Sequence, residues 1–199
     1  VRTAILISGR GSNMVSLLAA MAAPGYPARP VLVLSNRADA AGLALTGAVP
    51  TAVVPSRGRR REDFEAELDT VLAAHGVEMV ALAGFMRVLT EGFVARWQGR
   101  MINIHPSLLP GFRGLDTHAR ALAAGVRLHG CTVHWVSPGV DEGPIIAQAA
   151  VPVLPGDDEA ALAARVLAQE HSLYPAALAM VAGGRPILPG VGAALVSGW

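Results

Sequence analysis

Cysteine, aromatic residues and charge are all scarce in this chain. Cys131 is the only cysteine among 199 residues, which excludes an intrachain disulfide and a cysteine-rich metal site. Aromatic residues make up 5%, charged residues 16%, and the formal net charge is +1. So small a charge creates no field that favours nucleic acid or an anionic membrane. Long apolar runs are missing too. None reaches the roughly 18 residues of a membrane span. The uncharged segment 40–56 is broken by Gly, Thr and Pro. The first residues read as a strand, not as a charged-then-apolar signal segment. A cytoplasmic protein is the expectation.

What is present is core-forming material. Hydrophobic residues are 52% of the chain, enough for one sizeable domain over 1–199. Short apolar runs alternate with helical patterns. Strands are expected at 2–7, 30–34, 51–54, 77–83 and 101–105, and helices at 12–23, 38–48, 62–75 and 117–124. Two further strands, 128–136 and 144–153, are joined by a short loop and read as an antiparallel pair. A long helix is expected over 157–182, with Asp157 or Asp158 near its N-cap and Gly183-Gly184 at its end. This alternation predicts an α/β fold. The sheet should be doubly wound and mostly parallel, Rossmann-like, with an antiparallel addition in the C-terminal half. The uncharged tail 187–199 is expected to pack against the body.

The chemistry concentrates in M-I-N-I-H-P-S-L-L-P at 101–110. Side chains alternate along a strand, so Asn103 and His105 point to the same side. Pro106 and Pro110 lack the ladder N–H and end the strand there. In open α/β sheets such strand ends line the ligand crevice. Asp141 follows His105 by 36 residues and is a carboxylate able to orient the imidazole. An amide donor, an imidazole and a carboxylate suit acyl transfer, in which an oxyanion forms and protons move.

A second signal is S-G-R-G-S-N at 8–13, a glycine-rich turn between the first strand and first helix. Backbone N–H groups at a helix start hold a phosphate, and Gly11, Ser12 and Asn13 are the candidates. A dinucleotide fingerprint is incomplete, because Met14 stands where its third glycine belongs. Ser35-Asn36-Arg37 ends the second strand without an acid for a ribose hydroxyl, although Arg37 could face a 2′-phosphate. A phosphate monoester fits better.

The remaining polar residues read more plainly. Arg57, Arg59, Arg60 and Arg61 form a basic cluster, ordinarily a solvated face. His134 alternates with Thr132 and Val136, which leaves a core and a site placement equally open. Glu170 reads as an exposed acid on the long helix, and His118 as part of a helix cap. His75, His118 and His129 show no metal-ligand spacing, and no zinc-type cluster is present.

The strings at 8–13, 35–40 (S-N-R-A-D-A), 82–87 (L-A-G-F-M-R), 103–110, 129–134 (H-G-C-T-V-H), 140–144 (V-D-E-G-P) and 169–175 (Q-E-H-S-L-Y-P) span nearly the whole chain. Together they resemble the folate-dependent formyltransferases, and among them the phosphoribosylglycinamide formyltransferase family. The resemblance implies formyl transfer from 10-formyltetrahydrofolate, a co-substrate, to the amine of glycinamide ribonucleotide in purine biosynthesis. It implies no metal, no nucleic acid and no membrane, in a monomer or homodimer.

It also implies roles. Asn103, His105 and Asp141 would be catalytic. Gly11, Ser12, Asn13 and Glu170 would bind the ribonucleotide. Met86, Arg87, Val88 and Leu89 would form the folate pocket with Ser137, Pro138, Gly139 and Val140, and Arg61 would meet the folate's glutamate end. Asp116 departs from the pattern, since relatives often carry His or Asn there. Alternatives within the same fold are another folate-dependent formyltransferase or a 10-formyltetrahydrofolate hydrolase. A methionyl-tRNA formyltransferase would carry a basic surface for tRNA, and the deformylase a further regulatory domain. An NADP oxidoreductase or a non-catalytic nucleotide-binding module is the reading from outside the family.

Overall fold

The computed structural model describes residues 1–184 and a strand at 193–196. The elements run β1 (Arg2–Ile7), α1 (Ser12–Met21), β2 (Arg29–Ser35), a 3-10 turn (Ala41–Leu45), β3 (Thr51–Val53), α2 (Arg61–Ala74) and β4 (Met79–Leu82). Then come α3 (Glu91–Arg96), β5 (Met101–His105), α4 (Thr117–Ala123), β6 (Leu128–Trp135), β7 (Ile145–Pro152), α5 (Glu159–Ala182) and β8 (Ala193–Val196). One eight-stranded sheet has the order β3-β2-β1-β4-β5-β6-β7-β8. Strands β1 to β5 pair in parallel, and β6 is antiparallel to both β5 and β7. The expected doubly wound sheet with an antiparallel addition is therefore present.

Alternation along the strands builds a core on each face. In β1, Ile5 and Ile7 face one cluster, Ala4 and Leu6 the other. The first cluster takes Met14, Leu17 and Met21 from α1 and Leu162, Val166, Leu173 and Tyr174 from α5. The second takes Phe64, Leu68 and Leu72 from α2 and Phe93 and Val94 from α3. All of these aliphatic and aromatic side chains are buried, which removes their apolar surface from water.

Several boundaries differ from expectation for local reasons. The helix expected at 38–48 is only the short 3-10 turn. Gly42 there donates its N–H to Gly9 O at 2.9 Å, and a Cβ on it would lie 2.7 Å from Ile7 Cδ1. That close approach to the glycine-rich turn, rather than helix periodicity, sets the segment. Helix α3 was not legible as a helix because it is one short turn and a half. Thr90 caps it by accepting from Phe93 N–H at 3.2 Å. Asp158 caps α5 by accepting from Ala161 N–H at 2.8 Å. Of the expected tail contact, residues 193–196 pair in parallel with β7; the rest of 187–199 lies outside the described residues.

The strand order reverses direction at β1 and β4. The connection after β1 leads to β2 on one side, while β4 lies on the other. A crevice opens at such a switch point, outside the carboxyl ends of the strands. Tyr174 of α5 holds the floor of that region. Its hydroxyl donates to Leu82 O at 2.9 Å and lies 3.3 Å from Ile102 O, tying β4 to β5.

Candidate active site

Asn103 and His105 lie at the end of β5, beside the crevice. The antiparallel register sets Asn103 opposite His134 of β6. Asn103 Nδ2 is 3.2 Å from His134 Nε2, and His134 Nδ1 is 2.9 Å from Trp135 O. A carbonyl only accepts, so Nδ1 carries the hydrogen there. In the neutral ring Nε2 then accepts from the Asn103 amide. That uses one of the two amide hydrogens of Asn103 and leaves the other for a ligand.

Asp141 closes the cluster from the β6–β7 loop. Its Oδ2 is 3.2 Å from His105 Nδ1 and its Oδ1 is 3.6 Å from His134 Nε2. The Gly114 N–H donates to Oδ2 at 2.9 Å. Burial pushes the Asp141 carboxyl up, but His134, the Gly114 N–H and His105 outweigh it, and the net shift is downward. The aspartate is thereby kept as an anion between two imidazoles. His134 Nε2 stands between the Asn103 amide and the Asp141 carboxylate. The other nitrogen of His105, Nε2, is 3.0 Å from Phe112 O. Both nitrogens of that ring therefore face oxygen acceptors.

The loops that hold this cluster are braced by the other motif residues. Thr132 Oγ1 donates to Ser107 O at 2.7 Å and accepts from Leu109 N–H at 3.0 Å. Gln148 Nε2 donates to Leu109 O at 2.9 Å. The P-S-L-L-P segment is thus a clamped bend whose work is to end β5 in a fixed direction. At Gly143 a Cβ would lie 1.6 Å from Trp135 O, so only glycine lets the Asp141 loop fold back on β6.

The glycine-rich turn follows β1, two strands from β5 in the sheet. Gly11 is left-handed, φ 74° and ψ 23°, and caps α1. The N–H groups of the first helical turn, from Ser12 onward, have no acceptor within the helix and open towards the crevice end. A cavity of about 480 Å³ is lined by Ser8 to Asn13, Asn36, Arg37, Ala83, Gly84 and Met86. Asn13 Nδ2 donates to Glu170 Oε2 at 2.6 Å. Asn13 Oδ1 is buried and has no hydrogen-bond partner among the described residues. Burial pushes the Glu170 carboxyl up, the Asn13 hydrogen bond opposes it, and the net is a raised value. The turn and the long helix thus present an acid and an amide beside the start of α1.

A model of the formyl transferase family matches residues 1–178. The chain belongs to the formyl transferase family. It is 42% identical over 184 residues to the phosphoribosylglycinamide formyltransferase of Escherichia coli (strain K12), covering 91% of this chain and 87% of that protein. It is 47% identical over 186 residues to the human trifunctional purine biosynthetic protein adenosine-3. That match takes in 92% of this chain but only 18% of the longer protein. The crystal structure of phosphoribosylglycinamide formyltransferase from Anaplasma phagocytophilum superposes with a TM-score of 0.90 at 41% identity, covering 100% of this chain and 99% of that one. The Brucella melitensis structure of the same description gives 0.88 at 50% identity, covering 94% and 97%.

Within this formyl transferase fold, Asn103, His105 and Asp141 are brought together, and Asn13 meets Glu170. Of the remaining candidates, residues 86–89 and 137–140 lie in loops and Arg61 lies on α2. Met86 and Val88 are exposed and Leu89 is buried. Arg87 lies over the Phe64 ring, 5.8 Å from its centroid. Ser137, Pro138, Gly139 and Val140 belong to the β6–β7 loop that carries Asp141, with Val140 exposed. Arg61 is the exposed first residue of α2. Its neighbour Arg59 is committed to Glu67 at 2.6 Å. Arg37 is paired with both Asp39 oxygens, at 3.0 and 2.7 Å, on an exposed surface.

Three residues read differently in the structure. Glu170, expected as an exposed acid, is 7% exposed. It sits on the α5 stripe of Leu162, Val166, Leu173 and Ala177, and that spacing was the available signal. His134, open between core and site, lies at the site. Its pairing register with Asn103 is a tertiary fact no local pattern carries. His118 does not cap α4: its Nδ1 is 3.2 Å from His129 Nε2, and Asp116 is the N-cap residue, with φ 55°. Asn and Asp tolerate that left-handed conformation best among residues with a Cβ. Asp116 is therefore accounted for by backbone geometry. Among the described residues no group of three or more His, Cys, Asp or Glu side chains could hold a metal ion. No described helix is long and apolar enough to cross a membrane.

Proposed function

We propose that this chain transfers the formyl group of 10-formyltetrahydrofolate to the amine of glycinamide ribonucleotide. The products are formylglycinamide ribonucleotide and tetrahydrofolate, in the cytoplasmic synthesis of purines. The observation that carries this reading is the meeting of Asn103, His105, His134 and Asp141 at the end of β5, in a sheet whose first strand ends in the glycine-rich start of α1. The similarity along 87% of the Escherichia coli formyltransferase supports it.

Residues 1–199 act as a single formyltransferase domain, as a monomer or homodimer, without a metal. The ribonucleotide phosphate sits on the Gly11-Ser12-Asn13 turn, and Glu170 meets the ribose and amine side. The folate lies along Met86 to Leu89 and Ser137 to Val140, with its glutamate end towards Arg61. The substrate amine then attacks the formyl carbon. A new C–N bond forms, and the carbonyl oxygen becomes an oxyanion. The Asn103 amide supplies its free N–H to that oxygen, and His105 supplies a second through Nε2 once that nitrogen turns from Phe112 O, while Nδ1 stays on Asp141. Asp141 orients His105 and holds a water that takes the proton from the amine. As the tetrahedral intermediate collapses, the bond to the folate nitrogen breaks and that nitrogen receives the proton. Holding both reactants across one crevice supplies much of the remaining acceleration.

The test is tetrahydrofolate release followed by absorbance, with and without glycinamide ribonucleotide. Release that requires the ribonucleotide supports formyl transfer. Equal release without it identifies a hydrolase instead.

A further inference from the structure

A buried hydrogen-bond chain joins the carboxyl ends of four parallel strands. Ser8 follows β1, Asn36 follows β2, Ser56 lies beyond β3 and Met86 lies beyond β4. Ser8 Oγ donates to Asn36 Oδ1 at 2.6 Å, and Asn36 Nδ2 donates to Ser56 Oγ at 3.0 Å. The Met86 backbone N–H donates to Ser8 Oγ at 2.7 Å. The three polar side chains are 5%, 6% and 5% exposed, so water does not compete freely for these bonds.

The 84–89 segment has no regular secondary structure of its own. Its entry is held by Ser8 twice, through the Met86 bond and through Ser8 N–H to Gly84 O at 3.1 Å. Its exit is held at Thr90, whose N–H donates to Glu65 Oε1 at 2.7 Å. Ser8 has one hydroxyl hydrogen, and Asn36 takes it. The oxygen lone pair is thereby aimed at Met86. A hydroxyl without that acceptor is a free rotor, and its hydrogen can turn towards the Met86 N–H it should accept from. Asn36 thus acts on the loop without touching it. Of the 35–40 string, Asn36 and Arg37 line the cavity beside the glycine-rich turn.

We propose that Asn36 is a positioning residue for the folate co-substrate, setting the 84–89 loop through the Ser8 hydroxyl. The proposal rests on the reading of Met86 to Leu89 as the folate wall. It requires that loss of Asn36 loosen the Met86 backbone and weaken folate, while the ribonucleotide phosphate keeps its own backbone donors on α1.

The experiment uses the full chain and the variants Ser8→Ala, Ser8→Thr, Asn36→Ala and the double alanine variant. Hydrogen exchange at the Met86 amide reads the relay without any ligand. Calorimetry with tetrahydrofolate reads the folate site, and KM for glycinamide ribonucleotide reads the other. Ser8→Ala removes only one oxygen, so it remains informative if Asn36→Ala folds poorly. Expected are faster Met86 exchange and about tenfold weaker tetrahydrofolate binding in Ser8→Ala and Asn36→Ala, the scale of one lost buried hydrogen bond. The double variant should be no worse than Ser8→Ala, and Ser8→Thr, which keeps the hydroxyl, should bind like wild type. KM for the ribonucleotide should change little. Unchanged Met86 exchange in Ser8→Ala or Asn36→Ala, or multiplicative losses in the double variant, overturns the relay. Wild-type protein that binds no tetrahydrofolate, with Met86 exchange still dependent on Asn36, overturns instead the folate role and the formyl-transfer reading with it.

Discussion

Asp141 reaches two imidazoles at once: Oδ2 lies 3.2 Å from His105 Nδ1 and Oδ1 lies 3.6 Å from His134 Nε2. A carboxylate placed between two rings can hold one in register while its charge is felt by both. The left-handed backbone of Asp141, φ 54°, and the glycine two residues later make that placement possible. The structure therefore fixes a four-residue unit, with Asn103 joined through His134, rather than a pair.

His134 should matter to turnover because its Nε2 orients the Asn103 amide. His134→Ala leaves that amide free to rotate, and kcat should fall by about tenfold or more, on the scale of one misaligned oxyanion donor. His134→Gln, which can accept through its side-chain oxygen, should recover part of the loss. KM for either substrate should move much less than kcat. Steady-state kinetics on the two variants check this, and a large KM effect with unchanged kcat would remove His134 from the reaction.

Glu170 should be a stability cost kept for binding. Its carboxyl is buried and its folded pKa is raised, so between its unfolded and folded pKa the native state holds more protons than the unfolded one. Stability from this group is then full below the unfolded value and falls as pH rises through the folded one. Glu170→Gln keeps an acceptor for Asn13 and lacks that fall. The variant should melt higher than wild type by a few °C at neutral pH, and the difference should shrink near pH ~4. Ribonucleotide binding should weaken at the same time. Melting curves at the two pH values decide it; a variant less stable than wild type at neutral pH would show that the carboxylate is stabilising.

Gly11→Ala should damage the anion turn selectively. At φ 74° any Cβ is strained, at roughly 1–2 kcal/mol, and here it would also lie 3.0 Å from Gly42 Cα. The turn must shift, and with it the N–H groups that would hold the phosphate. KM for the ribonucleotide should rise by about tenfold, the equivalent of 1.4 kcal/mol. Tetrahydrofolate affinity, measured by calorimetry, should stay near wild type. Equal losses for both ligands would make the turn's role structural.

Local signals carried most of the fold and the outline of the site. Short apolar runs located β1 and β2, and an aspartate cap at 157 or 158 with the Gly183-Gly184 stop bracketed α5. The glycine-rich turn and the N-x-H strand end were visible because each has a backbone reason for its residues. What stayed hidden depends on partners distant in sequence. Gly42 breaks a helix-like segment because it must approach Gly9, and His134 joins the site through the β5–β6 register. Glu170 was legible in principle from its place on a buried stripe, but a lone acid on a helix is read as exposed unless the stripe is counted through it.

The decisive prediction concerns Asp141 and His105. Asp141→Asn keeps the size and the acceptor for Gly114 N–H but removes the charge, which the neighbouring donors hold in the ionised form. If that charge acts in the transition state, kcat should fall by roughly 100-fold or more, the scale of a general acid–base contribution. KM should change little, since the lost interaction forms only as the reaction proceeds. His105→Ala should be about as severe. Because the carboxylate acts through the imidazole 3.2 Å away, the double variant should be little worse than either single one. Fully multiplicative losses would show that the two residues work independently. A near-normal Asp141→Asn enzyme would leave His134 and Asn103 to handle the oxyanion, and the proton would have to travel by a route that avoids residue 141.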